Sequence, residues 1–134
     1  MEKIVADLGL EGDVIFTGKV KRDQIAKIVS EAWLNIHTSI TEGWGISIIE
    51  ASSAGTPTVA YDVPGVSNSI ENGRNGIRVK DGDRNELETA ALSILKDHKK
   101  WSISSIEVSK KYSWDRAAEM WKDEILKITS SKRS

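Results

Sequence analysis

Short apolar runs alternate with single-faced helical patterns along most of this chain, and that alternation restricts the fold more than any other feature. "DVIFTG" (13–18), "WLNIHTS" (33–39), "TVAY" (58–61) and "GIRVK" (76–80) read as strands. Between and after them, Ile25, Ile28, Val29 and Ala32 share one helical face, as do Leu87, Ala90, Ala91 and Ile94. Strands and helices in this order predict an α/β fold, a parallel sheet of about four strands with helices on both faces. At 134 residues the chain suits one domain. Ligands of such sheets bind beyond the carboxyl ends of the strands. The loops there are Thr17–Lys21, Thr38–Trp44 and Asp62–Asn68.

The punctuation supports the same order. Ile4, Val5 and Leu8 mark a short helix ending near Gly9, and Asp23 is placed to cap the next one. Gly55-Thr56-Pro57 stops the helix before "TVAY". Asp83 and Glu86 have capping-box spacing, and Lys99 to Lys111 is expected to be helical. Ser113 caps a last helix striped with Trp114, Ala117, Ala118, Trp121, Ile125 and Ile128. The stripe is expected to pack on the domain's own sheet, because a long apolar stripe left in water invites dimerisation. The division expected is a domain over 1–128 and a polar tail over 129–134.

Charge and composition exclude several functions. Net charge is −1, which gives no reason to expect nucleic acid. Residues 1–95 hold nine basic and fourteen acidic side chains, a balance of −5; residues 96–134 hold ten and six, a balance of +4. A solvated helical face explains the basic part, with contact to an anionic membrane surface as the alternative. No cysteine is present for disulfides or thiolate metal sites. No run reaches the ~18 apolar residues of a membrane span, and no signal peptide is evident. The expected location is the cytoplasm, with its membrane face as a variant.

The stretch "TEGWGISIIEASSAG" (41–55) carries the candidate chemistry. Glu42 and Glu50 have seven residues between them, including Gly43-Trp44-Gly45. A helix opening near Gly45 presents N–H groups without intrahelical partners, and its dipole favours an anion. Glycines let ligand oxygens approach the backbone. Glu50 lies roughly 7 Å along that helix at 1.5 Å per residue. A diphosphate at the helix start would thus have an acid on either side, and a carboxylate suits the vicinal diol of a sugar. A nucleotide-sugar has a sugar on each side of its diphosphate. The competing reading is structural: acids near helix N-termini are favourable without a ligand. The helix is apolar on most sides, so it is expected to be buried, and a buried Glu50 would need a partner.

The segment "TSITEGWGISIIEASSAGTPTVAYDVPGVSNSIENGRNGIRV" resembles the C-terminal domain of retaining GT-B glycosyltransferases, family four, group 1 type. Phe16-Thr17-Gly18, Ser39, Glu50-Ala51, Gly55-Thr56-Pro57, Gly73 and Gly76 match as well. The resemblance covers about 1–128 and implies a partial Rossmann-like domain. It implies that Glu42, the catalytic candidate, holds the transferred sugar near its 3- or 4-hydroxyl and positions it rather than acting as a base. Glu50 would accept the ribose hydroxyls. Backbone N–H groups of Gly43, Trp44, Gly45 and Ile46 would meet the sugar and diphosphate, Ser39 would belong to the same binding site, and Thr17, Gly18 and Lys19 would border the base. No metal or other cofactor is implied, and His37 and His98 are expected to be structural. The resemblance implies a donor-binding portion that moves a hexose from a UDP- or GDP-sugar to a lipid or saccharide acceptor.

Three features depart from the pattern. Asn68 stands where an acid is frequent. Ser52 and Ser53 stand where larger apolar residues are usual, which is expected to loosen local packing. The acceptor domain and two strands expected before residue 1, whose loops carry the diphosphate-gripping Arg and Lys, are missing, so the fragment alone is expected to be inactive. In the family order 3-2-1-4-5-6, those two strands would separate 13–16 from 33–37. Three outcomes follow: direct pairing of 13–16 with 33–37, a second chain in the gap, or a fragment of a larger protein. A homodimer through the incomplete sheet or terminal helix is a further expectation. The alternatives in function are a non-catalytic nucleotide-sugar-binding or interaction module, or one half of a split enzyme. A dinucleotide-binding domain is disfavoured, because no Gly-x-Gly-x-x-Gly follows any strand.

Overall fold

The computed structural model describes residues 1–131. Its sheet holds three parallel strands, β1 (Asn35–His37), β2 (Thr58–Tyr61) and β3 (Gly76–Val79), in that spatial order. Ile36 is in register with Val59, and Val59 with Ile77. The helices are α1 (Glu2–Asp7), α2 (Arg22–Glu31), α3 (Ile46–Ser53), α4 (Arg84–Lys96), α5 (His98–Ser109) and α6 (Trp114–Ser131). Short 3-10 turns occupy Val66–Asn68 and Lys110–Tyr112.

The central strand explains why both faces are covered. Successive β side chains point to opposite sides. Ala60 therefore joins Ile48, Val63, Val66 and Ile70 in one cluster, and Val59 joins Val79, Ala90 and Ile94 in the other. The first cluster buries α3 and the segment after β2; the second buries α4.

The expected fourth strand does not form. Residues 13–18 adopt no regular structure, and Ile15 is 85% exposed. A strand needs a hydrogen-bonded neighbour, and 13–16 neither reaches β1 nor finds another strand. Direct pairing of 13–16 with 33–37 is thus not the outcome. Among the described residues β1 pairs only with β2, so its outer edge is open.

Other expectations shift in detail. Lys21, rather than Asp23, is the N-cap of α2; its backbone N–H donates to Gln24 Oε1 at 3.0 Å, and Asp23 lies in the first turn. Asp83 caps α4 by accepting from the Glu86 N–H at 3.0 Å, but Glu86 accepts from the Lys80 N–H instead of closing the box. Ser113 Oγ accepts from the Arg116 N–H at the start of α6, as expected. Ser52 does not loosen the packing. It is fully buried, donates to Ile48 O at 2.9 Å and accepts from Asn75 Nδ2 at 3.0 Å. Asn75, also buried, donates to Ser69 O and accepts from the Glu71 N–H. A larger apolar side chain at 52 would leave that amide short of a partner.

The stripe on α6 does not fold back on the sheet. Trp114 is 90% exposed and Trp121 71%, because α3, α4 and α5 already occupy the sheet's surroundings. The polar tail expected from Thr129 begins within α6; residues 132–134 lie outside the described residues.

Ionic contacts tie the Lys110–Tyr112 turn to the loop before β3. Lys111 Nζ donates to Glu71 Oε1 at 2.7 Å, and Arg74 reaches Glu71 Oε2 at 2.8 Å. The Lys111 hydrogen bond, helped by Arg74 and opposed by partial burial, holds the Glu71 carboxyl below its usual range. A depressed folded value stabilises the protein above the unfolded carboxyl's titration and loses that stability as pH falls through the folded value. Lys111→Met is therefore expected to lower stability at pH 7 and to flatten its loss below about pH 4.3, the ordinary glutamate range. Urea unfolding of both proteins from pH 7 to pH 3 checks this; parallel pH curves would contradict it.

Candidate functional site

The candidate site lies at the carboxyl ends of β1 and β2. After His37 the chain runs through Ser39 to Glu42, turns at Gly43-Trp44-Gly45 and enters α3 at Ile46. Gly45 is the N-cap, with φ 64° and ψ 44°, a left-handed conformation that glycine adopts without steric cost. A Cβ there would sit 2.8 Å from Ser69 Oγ, so the elbow's inner side is closed. At Gly43 a Cβ would meet nothing within 4 Å, so the outer side is open.

No side chain among the described residues caps α3. Ile48 and Ile49 donate back to Gly45 O, whereas the N–H groups of Ile46 and Ser47 have no acceptor among the described residues. These free donors and the positive end of the helix dipole face the open turn.

The elbow is braced from behind. The Glu42 N–H donates to Pro64 O at 3.2 Å. Gly65, with φ 91°, lies so close that a Cβ would overlap the Glu42 carbonyl oxygen. Ser69 Oγ donates to Trp44 O. The Trp44 ring meets Tyr112 edge-on at 5.3 Å between centroids, and the Tyr112 hydroxyl donates to Asn68 O at 3.0 Å.

The two acids take different places. Glu42 Oε1 lies 3.0 Å from His37 Nε2, and its side chain is 29% exposed. Glu50 is half exposed rather than buried, since Ile48, Ala51 and Ser52 form the inward face of α3. It borders a groove of about 280 Å³ between α2 and α3, with Arg22, Ile25, Asn35 and Ser47. Arg22 approaches Glu50 Oε1 at 3.4 Å, a surface pair of little energy that leaves the carboxylate available to a ligand. Glu42 does not line this groove; the elbow stands between it and Glu50. Gly43, Trp44, Gly45 and Ile46 form the elbow itself, and Ser39 is half-buried in the loop leading to it. Thr17, Gly18 and Lys19 are exposed, and no hydrogen bond or ion pair joins them to either acid among the described residues. Sequence reasoning missed His37 and Tyr112 as neighbours of the elbow. The position of His37 at the end of a strand, five residues before Glu42, was the available signal for the first.

The family model for glycosyl transferases group 1 matches residues 1–107. The chain belongs to this family. It is 33% identical over 125 residues to poly(glycerol-phosphate) alpha-glucosyltransferase of Bacillus subtilis, covering 90% of this chain and 18% of that protein. It is 26% identical to D-inositol 3-phosphate glycosyltransferase of Nocardia farcinica, covering 87% of this chain and 27% of that one. Sucrose-phosphate synthase of Thermosynechococcus elongatus superposes with a TM-score of 0.81 at 25% identity, over 97% of this chain and 34% of that one. HepE of Anabaena, solved in complex with UDP, gives 0.76 at 27% identity, over 97% and 35%. The fold is thus that of GT-B glycosyltransferases, although the chain spans less than two-fifths of each of these proteins.

In this group 1 domain the contact at Gly65 is backbone against backbone, so no side chain can give way. Gly65→Ala is expected to cost about 1–3 kcal/mol from the left-handed conformation alone, and to displace the Glu42 loop. Urea unfolding measures the loss, and amide NMR shifts at 42–45 report the displacement; an unchanged protein would contradict the bracing role.

Proposed function

We propose that this domain is the donor-binding portion of a retaining glycosyltransferase, taking a hexose from a UDP- or GDP-sugar for transfer to a lipid or saccharide acceptor. The observation that carries the reading is the open elbow, with two unpartnered N–H groups heading α3 and a carboxylate on each side. The diphosphate would sit at Ile46 and Ser47, where the helix dipole and the donors oppose its charge. Glu50 would accept both ribose hydroxyls from the groove side. Glu42 would hold the hexose and set its anomeric carbon, which reacts with retention of configuration, without serving as base. Ser39 and the backbone of Gly43 to Gly45 would complete the sugar side, and Thr17 to Lys19 would border the base. The UDP and UDP-glucose complexes of HepE support a donor of this class.

A second reading is a non-catalytic nucleotide-sugar module or one half of a split enzyme. It is favoured by the edge of β1, which is open among the described residues. Either way residues 1–128 act as the donor domain, and the acceptor side comes from another domain or chain. The chain alone would then be inactive in transfer. No helix among the described residues is long and apolar enough to cross a membrane.

Isothermal titration with UDP, GDP and their hexose conjugates tests the donor reading. Glu50→Gln is expected to weaken nucleotide binding about tenfold, the value of a charge-assisted hydrogen bond, with the unfolding midpoint unchanged. Equal affinities in the two proteins would contradict it.

A further inference from the structure

His37 is the last residue of β1, and its side chain is only 13% exposed. Its Nε2 lies 3.0 Å from Glu42 Oε1, yet it has no hydrogen-bond partner among the described residues. A buried nitrogen left in this state bears a desolvation cost that no hydrogen bond offsets. A small swing of the Glu42 carboxylate satisfies it, and the backbone limits how far that swing can go. The Glu42 N–H is tied to Pro64 O at 3.2 Å, and Gly65 closes behind its carbonyl. Glu42 thus has one anchored backbone and one buried donor waiting for one of its oxygens.

We propose that His37 is a positioning residue that takes one carboxylate oxygen of Glu42 and leaves the other for a hydroxyl of the transferred sugar. This rests on the donor-binding reading above and adds to it the device that aims the sugar-gripping acid. An imidazole with a proton on Nε2 donates it to Oε1. Oε2 then accepts from the sugar with its direction already set. Orientation fixed before binding lowers the entropy lost when the sugar docks. The nucleoside and diphosphate make no use of Glu42, so the effect is confined to the sugar.

That confinement separates positioning from a general structural role. Affinities for UDP, GDP, UDP-glucose and GDP-mannose are to be measured by saturation-transfer NMR on the wild type, His37→Leu and His37→Gln. A glutamine amide can donate to Glu42 in place of the imidazole; leucine fills the space but cannot. UDP and GDP affinities are expected to agree within about twofold in all three proteins, and the wild type to bind a conjugate more tightly than its diphosphate. His37→Leu is expected to lose that gain, about fivefold for one hydrogen bond, while His37→Gln keeps it. A gain preserved in His37→Leu would overturn the proposal. So would equal weakening of diphosphate and conjugate in both variants, which marks a structural histidine. Wild-type protein that binds neither diphosphate, or prefers no conjugate, would overturn the reading of the site and the proposal with it.

Discussion

The rest of the site depends on a backbone contact between two loops. Pro64-Gly65, just past β2, presses against the backbone of Glu42, just past β1. Parallel neighbouring strands deliver both loops to the same end of the sheet. Once the carbonyl of Glu42 is seated there, the direction of Gly43 to Gly45 follows, and so does the start of α3. The left-handed Gly45 turns the chain into the helix and leaves its first donors without acceptors. Glycines at 45 and 65 therefore act on one feature from two strands.

The braces around the elbow have a second origin in the C-terminal part of the chain. Tyr112 touches both the Trp44 ring and the carbonyl of Asn68, and the neighbouring Lys111 reaches Glu71. Asn75 and Ser52 connect the same loop to the underside of α3. Asn68 contributes its backbone carbonyl to this bracing. The loop after β2 is thus held at several points by neutral and ionic contacts. A fixed loop of this kind suits recognition of a diphosphate, because the donors need no rearrangement when charge arrives.

Much of this was legible in the sequence, where local chemistry decides the outcome. "TVAY" became the central strand because its residues serve both faces, and Gly55-Thr56-Pro57 ended α3 where expected. The spacing of Glu42 and Glu50 placed them on either side of the elbow. The failures are non-local. Val14-Ile15-Phe16 has strand composition, but composition cannot supply a neighbour, and β1 presents its free edge elsewhere. The Trp114–Trp121 stripe has helical periodicity, which predicts a helix but not a surface to cover it. Glu50 was expected inside because its neighbours are apolar, yet the inward face of α3 passes through 48, 51 and 52. His37 looked isolated because Glu42 comes back to it only after a loop. Ser52 looked like a packing fault until Asn75, far along the chain, was beside it.

The exposed apolar surfaces of 14–16, the free edge of β1 and the stripe on α6 lie outside the two core clusters. The elbow draws its support from the loops after β1 and β2 and from the Lys110–Tyr112 turn. The claim that this elbow receives a diphosphate is tested most directly by following every backbone amide during a titration with UDP. The account predicts the largest shifts at Gly43 to Ser47, with those of Ile46 and Ser47 in the direction of new hydrogen bonds. Shifts confined to other parts of the chain, with 43–47 unmoved at saturation, would contradict it.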